Sequence, residues 1–285
     1  MKVSVAIVTY NRKAQLARAL KSCVSCVDSI KEIVVVDNFS CDGTSAYLDD
    51  IVRLFQVPIK VIRMHKNIGC PRARNIAIAN CTSRYVYCLD DDGWLDKNAL
   101  TTSTKLIMEE KVAVVVSRIV APKCQSELGY TGTTRKVGKF SGGASLIDRK
   151  YFERFGGFPD FFRQMEETYL SLIYLNNGLD IIFNSDSIMY HEKSKTKTQS
   201  IEEIRYNYLN EMKTLCDLIS RRWFFPLMLG KTMSHSRLYI RKRCYYFFMK
   251  DILSSILLPF VENKELGKNR QRIKIDVLAQ QRKLK

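Results

Sequence analysis

Three consecutive aspartates, Asp90, Asp91 and Asp92, directly follow an apolar run that predicts a buried strand. Ionised carboxylates packed at a strand end repel one another, so we expect a positive group beside them. A divalent cation with oxygen ligands, Mg²⁺ or Mn²⁺, bound together with a phosphate group would meet that need. The alternative is a solvated acidic turn that caps the next helix, in which Gly93 supplies the bend.

Two more polar segments end apolar runs: Thr9-Tyr10-Asn11 follows residues 3–8, and Asp37-Asn38 follows residues 33–36. Buried strands separated by helices predict an α/β fold with a mainly parallel central sheet flanked by helices. Ligands of such sheets bind beyond the carboxyl ends of the strands. We therefore expect the three polar segments to meet in one site.

Hydrophobic periodicity indicates the elements that must position these residues. Short β-branched runs predict strands, and apolar residues at helical spacing predict helices. The predicted strands cover 3–8, 33–36, 59–62, 85–89 and 112–116, and the predicted helices include 16–23, 45–55, 75–80 and 201–219.

Four motifs occur in a fixed order over roughly residues 1–192: Val8-Thr9-Tyr10-Asn11-Arg12, residues 35–44 (VVDNFSCDGT), Asn67-Ile68-Gly69 with Ala73-Arg74-Asn75, and Leu89-Asp90-Asp91-Asp92. Together they resemble the signature of family 2 glycosyltransferases. The resemblance implies the GT-A fold and an inverting, metal-dependent enzyme. It also implies a catalytic domain over 1–200, with a nucleotide-sugar half at about 1–95 and an acceptor half at about 96–200, followed by a basic, aromatic-rich helical extension over 201–285.

The resemblance further implies residue roles on the donor side. Asp37 would accept a hydrogen bond from the imide N–H of the base, which favours UDP- or dTDP-linked sugars; its alternative role is a helix N-cap. Asp90 would lie near the ribose, and Arg74 would either contact the diphosphate or only hold its loop. The implied nucleotide-sugar residues are Thr9, Tyr10, Asn11, Asp37, Asn38, Asn67, Arg74, Asp90 and Asp91.

On the acceptor side, Gly142 and Gly143 resemble the segment in which small residues let the backbone approach the sugar. Glu166-Glu167 resembles the family's acidic element, and it implies Glu167 as the catalytic base with Glu166 as the alternative. The match is imperfect, because Tyr169 and Ile173 replace an Asp and an Arg. Both glutamates could instead only stabilise a helix N-terminus.

His191 follows another apolar run. By the resemblance it would complete the metal site with Asp92, since imidazole suits Mn²⁺; alone, it would more often be structural. Cys23 and Cys26 form a CxxC without a second such pair, so we do not expect zinc.

The net charge of +17 is concentrated at the C-terminal end: residues 193–285 carry 21 basic and 8 acidic side chains, a net charge of +13. Basic clusters alternate there with aromatic ones, for example Arg241-Lys242-Arg243 before Tyr245-Tyr246-Phe247-Phe248. This mixture predicts peripheral contact with an anionic membrane surface. The alternative is that the aromatic residues pack as ordinary core. Residues 193–198 have the composition of a linker.

No transmembrane helix is expected from hydropathy, because charges and Pro259 interrupt the most apolar stretch. A strand pattern begins at once without a leader-like segment, and the nine cysteines show no framework spacing. We therefore expect reduced thiols and a cytoplasmic protein. Together with the predicted membrane contact, this places the protein at the inner face of the cell membrane.

The function expected from these residues is transfer of a sugar from a nucleotide-sugar donor to a hydroxyl of a glycan or lipid-linked acceptor, as in bacterial surface polysaccharide assembly, and no nucleic-acid partner is expected. A sugar-1-phosphate nucleotidyltransferase remains an alternative, although residues 5–12 lack the expected glycine. A nucleic-acid-binding protein would explain the basic C-terminal region but leave the acidic loops unexplained.

Overall fold

The computed structural model describes residues 1–122, 126–192, 199–261 and 272–284. The predicted linker 193–198 lies outside these residues. Within them, the strands are β1 (Val3–Thr9), β2 (Ile30–Asp37), β3 (Ile59–Arg63), β4 (Tyr85–Asp90), β5 (Gly93–Leu95), β6 (Val112–Ala121), β7 (Ser126–Leu128), β8 (Arg135–Lys136), β9 (Ala144–Asp148) and β10 (Asp180–His191). The helices are α1 (Lys13–Val24), α2 (Thr44–Leu54), α3 (Cys70–Ala79), α4 (Ala99–Ile107), α5 (Arg149–Arg154), α6 (Glu166–Asn176), α7 (Ile201–Leu218), α8 (Arg221–Arg241), α9 (Tyr245–Val261) and α10 (Ile275–Lys283).

The central sheet has the strand order β3-β2-β1-β4-β9-β6-β10-β5, with β7 beside β6 and β8 beside β10. The four strands β3, β2, β1 and β4 pair in parallel, as do β6 and β10. Strand β9 runs antiparallel to both β4 and β6. The α/β class is therefore confirmed, and the sheet is mixed: parallel pairing covers its first half, where strands and helices alternate along the sequence.

Helices cover both faces of the sheet, which explains the continuous apolar runs of its strands. Val5, Ile7 and Val35 face one core together with residues of α1, α2 and α4. Ala6 and Val34 face the other core, which α3 and α6 close. Because successive side chains point to opposite faces, each strand contributes to both cores.

The parallel register brings the polar strand ends together. Thr9 at the end of β1 pairs with Asp37 at the end of β2, and Val8 pairs with Asp90 at the end of β4. The three polar segments thus meet at one edge of the sheet, as the sequence predicts.

The helices after residue 200 form a third apolar core that includes one face of α6. Asp251 on α9, 1% exposed, accepts hydrogen bonds from Arg205 on α7 (2.8 Å) and from the Tyr239 hydroxyl on α8 (2.8 Å). The chain then returns to the sheet-containing part, where the Gly138 amide donates to the carbonyl of Leu284 (3.0 Å). The extension is therefore packed against the rest of the fold.

The aromatic residues of the extension divide into two groups. Phe224 and Tyr239 are buried in the third core, whereas Trp223, Tyr245 and Tyr246 are exposed. Packing thus accounts for part of the aromatic content only. Across the described ranges, every helix is too short or too polar to cross a bilayer.

Candidate active site

Each aspartate of the triplet has a basic partner. Arg74 Nη2 lies 2.8 Å from Asp90 Oδ1. Arg12 Nη1 lies 2.9 Å from Asp91 Oδ1 and 2.7 Å from Asp92 Oδ2. Part of the positive charge expected beside the triplet therefore comes from the protein itself, and the acidic segment is not merely a solvated turn.

The three carboxyls differ in pKa because their surroundings differ. Burial raises the pKa of Asp91 to about 6, although Arg12 counteracts it. Burial likewise raises the pKa of Asp90 against the opposing charge of Arg74. At Asp92, burial is outweighed by the hydrogen bond and charge of His191, so its pKa is lowered. Asp92 is thus the carboxyl of the triplet that ionises most readily.

Asp90, Asp92 and His191 can together hold a cation, since one ligand atom from each lies within 4.8 Å of the other two. The antiparallel pairing of β10 with β5 sets His191 opposite Gly93 and brings its Nε2 to 3.2 Å from Asp92 Oδ1. Two carboxylates and an imidazole are a donor set that fits Mn²⁺. Asp92 and His191 are the ligands expected from the sequence, and the structure adds Asp90 to the same group.

A cavity of about 480 Å³ lies beyond the ends of β1 and β4. Eight of the residues expected to bind the donor or the metal line it: Thr9, Tyr10, Asn38, Asn67, Asp90, Asp91, Asp92 and His191. Asn11, Asp37 and Arg74 are not among its lining residues. We call this space the donor cavity.

Asparagine side chains shape the loops around the donor cavity. Asn38 Nδ2 donates to Asn67 Oδ1 (2.9 Å), and Asn38 Oδ1 accepts from the Ile68 amide (3.0 Å). Asn11 adopts a positive φ of 53° and accepts a hydrogen bond from the Cys41 amide (2.7 Å). These side chains tie the loops after β1, β2 and β3 to one another.

Asp37 is 3% exposed and accepts a hydrogen bond from the Ser40 amide (2.9 Å). Helix α2 begins after Gly43, so Asp37 does not act as its N-cap. The carboxylate instead holds the turn that follows β2.

A second cavity, of about 400 Å³, lies on the other side of the cation group and is lined by Tyr130, Lys139, Phe140, Ser141 and Glu167. Asp90 and His191 line both cavities. We call this second space the acceptor cavity. The two cavities therefore meet at two of the three candidate metal ligands.

Gly142 and Gly143 permit a close approach at this junction. The Gly142 amide donates to Glu167 Oε1 (3.1 Å), and the Gly143 carbonyl accepts from the Asp90 amide (3.0 Å). A Cβ atom on Gly143 would lie 1.9–2.0 Å from the carboxyl atoms of Asp90. A larger residue at position 143 is thus incompatible with the present place of Asp90.

The two glutamates at the start of α6 have different surroundings. Glu167 lines the acceptor cavity, whereas Glu166 is 4% exposed and lines neither cavity. Burial and the neighbouring charge of Glu167 raise the pKa of Glu166 to about 8, although Arg74 Nη1 lies 3.9 Å away. At neutral pH Glu166 is therefore mainly protonated, and Glu167 is the carboxylate presented to the cavity.

The departures from the expected acidic element have a packing reason. Ile173, which stands in place of an Arg, is 5% exposed and belongs to the core shared by α6 and the extension. Tyr169 packs edge-on against Phe161, with ring centroids 6.0 Å apart. This face of α6 is covered by other parts of the chain, which favours apolar residues there.

The sequence motifs give no role to several residues at the site. Arg12 stands in the first motif, and its position next to Asn11 is the signal that marks it. Tyr130 and Lys139 line the acceptor cavity, and Phe162, Arg163 and Gln164 line the donor cavity. No motif marks these five, because tertiary folding alone brings their loops to the cavities.

Residues 4–170 match the profile of the family described as Glycosyl transferase family 2. The putative teichuronic acid biosynthesis glycosyltransferase TuaG of Bacillus subtilis is 30% identical over 111 residues, which cover 39% of this chain and 44% of that relative. The chain thus spans less than half the length of this relative.

Two solved structures share the fold. Staphylococcus aureus TarS in complex with UDP-GlcNAc superposes with a TM-score of 0.68 at 17% identity, covering 90% of this chain and 81% of that one. The mannosyltransferase PcManGT of Pyrobaculum calidifontis, in complex with GDP-Man and Mn²⁺, gives a TM-score of 0.62 at 16% identity, with coverages of 92% and 87%.

Proposed function

The chain belongs to glycosyl transferase family 2, and from this membership we propose that it transfers a sugar, with inversion, from a nucleoside-diphosphate sugar to a hydroxyl group. One observation carries the proposal: the donor and acceptor cavities meet at Asp90 and His191, with Glu167 on the acceptor side. A donor and an acceptor bound in these cavities would face each other across the candidate metal ligands.

Glu167 is the proposed general base. Its Oε1 atom is oriented by the Gly142 amide at 3.1 Å, and the carboxylate lines the acceptor cavity. It takes the proton from the acceptor hydroxyl while that oxygen attacks the anomeric carbon of the donor. The bond to the nucleoside diphosphate breaks in the same displacement, so the anomeric configuration inverts.

The leaving diphosphate gains negative charge as this bond breaks. Asp92 and His191, with Asp90, would hold a divalent cation, Mn²⁺ or Mg²⁺, which would supply Lewis-acid stabilisation of the leaving diphosphate. Arg12 lines the donor cavity, where its guanidinium orients Asp91 and Asp92. Mn²⁺ accompanies the bound donor in the PcManGT structure, which supports a cation here.

We propose that the donor is a UDP- or dTDP-linked sugar and that the acceptor is a hydroxyl of a glycan or of a lipid-linked acceptor. The UDP-GlcNAc bound in the TarS structure supports a uridine nucleotide in the donor. The teichuronic acid role in the name of TuaG supports a surface polysaccharide as the product. The alternative guanosine donor has a counterpart in the GDP-Man of PcManGT, so the nucleotide must be measured.

The test measures turnover of a panel of UDP-, dTDP- and GDP-linked sugars with Mn²⁺, and the readout is release of the nucleoside diphosphate. We expect release from at least one uridine or thymidine donor, and loss of that release on chelation with EDTA. Protein that binds none of these donors in calorimetry and releases no nucleotide would contradict the proposed function.

We also propose that the extension contacts an anionic membrane surface, at the cytoplasmic face. Exposed apolar side chains recur along α8 and α9, and we call them the exposed apolar face: Phe225, Leu229, Met233, Tyr246, Met249, Leu253 and Leu257. Their spacing sets those of α8 on one side of that helix and those of α9 on one side of that helix. Exposed basic residues precede or follow them in the sequence, at positions 221, 222, 241–243 and 250. Apolar residues bordered by basic ones suit the headgroup region of an anionic leaflet.

Vesicle flotation of the full chain tests the membrane proposal. The double variant Leu229→Glu with Leu253→Glu should lose binding to vesicles that contain phosphatidylglycerol at low salt. The matched control is Leu54→Glu on α2, because Leu54 is 79% exposed and lies outside the extension. Equal flotation of the double variant and the wild type, or no flotation of the wild type, would contradict membrane contact.

A further inference from the structure

The segment between Phe162 and Met165 connects the two cavities. Phe162, Arg163 and Gln164 line the donor cavity, and α6 with Glu167 begins directly after Met165. The position of this short segment therefore affects both the donor and the proposed base. We call residues 162–165 the junction loop.

The junction loop has an unfavourable backbone conformation. Gln164 and Met165 have φ angles of 68° and 71°, in the left-handed region that residues other than glycine rarely adopt. Met165 is the N-cap of α6 and makes no side-chain capping hydrogen bond. Such a conformation persists only where the surrounding structure holds it.

One face of α7 holds the junction loop. Asn210 Nδ2 donates to the carbonyls of Arg163 (2.8 Å) and Gln164 (3.1 Å), and the Asn210 side chain is buried. Tyr206 stacks on Phe162 with ring centroids 5.8 Å apart, and Glu203 lies 3.3 Å from Arg163. Positions 203, 206 and 210 share one helix face by their spacing.

On its other side the junction loop contacts the start of α3. The Cys70 amide donates to the Phe162 carbonyl (3.0 Å), and a Cβ on Gly69 would lie 2.3 Å from that oxygen. The loop is thus fixed between α3, which belongs to the donor half, and α7, which belongs to the extension. Asn210 supplies hydrogen bonds to Gln164, one of the two left-handed residues, and to Arg163 directly before it.

We propose that Asn210 is a positioning residue for the transfer reaction: through its two hydrogen bonds, α7 keeps the junction loop in the conformation that shapes the donor cavity and aims Glu167. The extension is then part of the active-site architecture, in addition to any membrane role. For its kinetic readout this inference rests on the proposed function.

The first measurement does not depend on activity. Hydrogen–deuterium exchange of the peptide covering 162–170 should become about tenfold faster in Asn210→Ala, because the buried hydrogen bonds that hold the loop are lost. The matched control is Thr214→Val on the same helix. The buried Thr214 hydroxyl donates to the Asn210 carbonyl (2.7 Å) and not to the junction loop, so exchange at 162–170 should stay unchanged.

The second measurement is kinetic. Asn210→Ala should lower kcat/KM for the donor about tenfold, or about 1.4 kcal/mol, with a higher donor KM as well as a lower kcat. Thr214→Val should keep both constants even if its Tm falls. If Asn210 had a purely structural role, both variants would have a lower Tm, and the kcat and KM of their folded fraction would equal those of the wild type.

Restoring the backbone conformation provides the rescue. Glycine adopts a positive φ without steric cost, so adding Met165→Gly to Asn210→Ala should recover roughly threefold of the lost kcat/KM. If Asn210→Ala does not fold, Asn210→Ser with its shorter donor is measured in the same way. Exchange at 162–170 equal to that of the wild type would overturn the inference, whereas a wild type that turns over no donor would count against the proposed function alone.

Discussion

The donor side and the acceptor side of the site are built in different ways. On the donor side, Asn38 and Asn67 bond to each other and to main-chain atoms of the same loops. On the acceptor side, Glu166 and Glu167 face a charged side chain on α3, Arg74, and the main-chain amide of Gly142. Hydrogen bonds between the ends of neighbouring parallel strands therefore fix the donor loops, whereas contacts of α6 with α3 and with the loop before β9 fix the acceptor side.

The cation group lies where the two sides meet, and its loss should have the largest effect. Asp92→Asn removes the carboxylate that ionises most readily and should lower transfer by about 10³-fold or more, as expected for loss of charge stabilisation at the leaving group. Initial rates with Mn²⁺ and after EDTA treatment measure the effect. Asp49→Asn is the control, because Asp49 on α2 is exposed and forms an ion pair with Arg63 away from the cavities. Near wild-type transfer by Asp92→Asn would show that the cation group is not needed.

The close approach at Gly143 should give the next largest effect. In Gly143→Ala the new methyl group must displace the Asp90 carboxylate, which lies within 2.0 Å of that position. We expect a loss of about 10²-fold in kcat, since small displacements of reacting groups have costs of this size. Gly230→Ala serves as the control, because Gly230 on α8 has open space around it. Equal rates for Gly143→Ala and wild type would exclude this close approach from the mechanism.

A smaller effect is expected at Asp37, on the donor side. The family resemblance assigns the base contact to Asp37. On that assignment, Asp37→Asn keeps an oxygen for the Ser40 amide but turns an amide group toward the base, so UDP affinity should fall about tenfold. Cytosine presents an acceptor where uracil has its imide N–H, and CDP affinity should therefore not fall. Calorimetry with UDP, dTDP, GDP and CDP measures both. A wild type that prefers GDP would contradict the pyrimidine assignment.

The smallest effect concerns stability on the acceptor side. The pKa of Glu166 is raised to about 8 in the folded protein, above the ordinary value of 4.5, so the folded state binds the extra proton. Wild-type stability should therefore fall as pH rises from about 4.5 to 8. Glu166→Gln removes this titration, and its Tm should exceed that of the wild type by a few degrees at pH 8 but not at pH 4.5. The same Tm difference at both pH values would contradict a protonated Glu166.

The contrast between the two sides also explains what the sequence could predict. Strands β1 to β4 and the loops after them follow from short-range patterns, since Thr9, Asp37 and Asp90 each end an apolar run. The antiparallel strand β9 and the junction loop do not follow from such patterns. The left-handed residues Gln164 and Met165 are not glycines, and Asn210, which bonds to Arg163 and Gln164, lies more than forty residues away in the sequence.

Two neighbouring carboxyls at the start of α6 are the candidates for the general base, and their variants separate them. The measurement is the kcat and the donor dissociation constant of two single variants, Glu167→Gln and Glu166→Gln, which change neighbouring carboxyls in the same helix turn. We predict a loss of about 10²-fold or more in kcat for Glu167→Gln with unchanged donor affinity, and little change for Glu166→Gln, whose amide replaces a protonated acid. A loss that followed Glu166→Gln instead, or no loss in either variant, would contradict the account of two cavities served by Glu167.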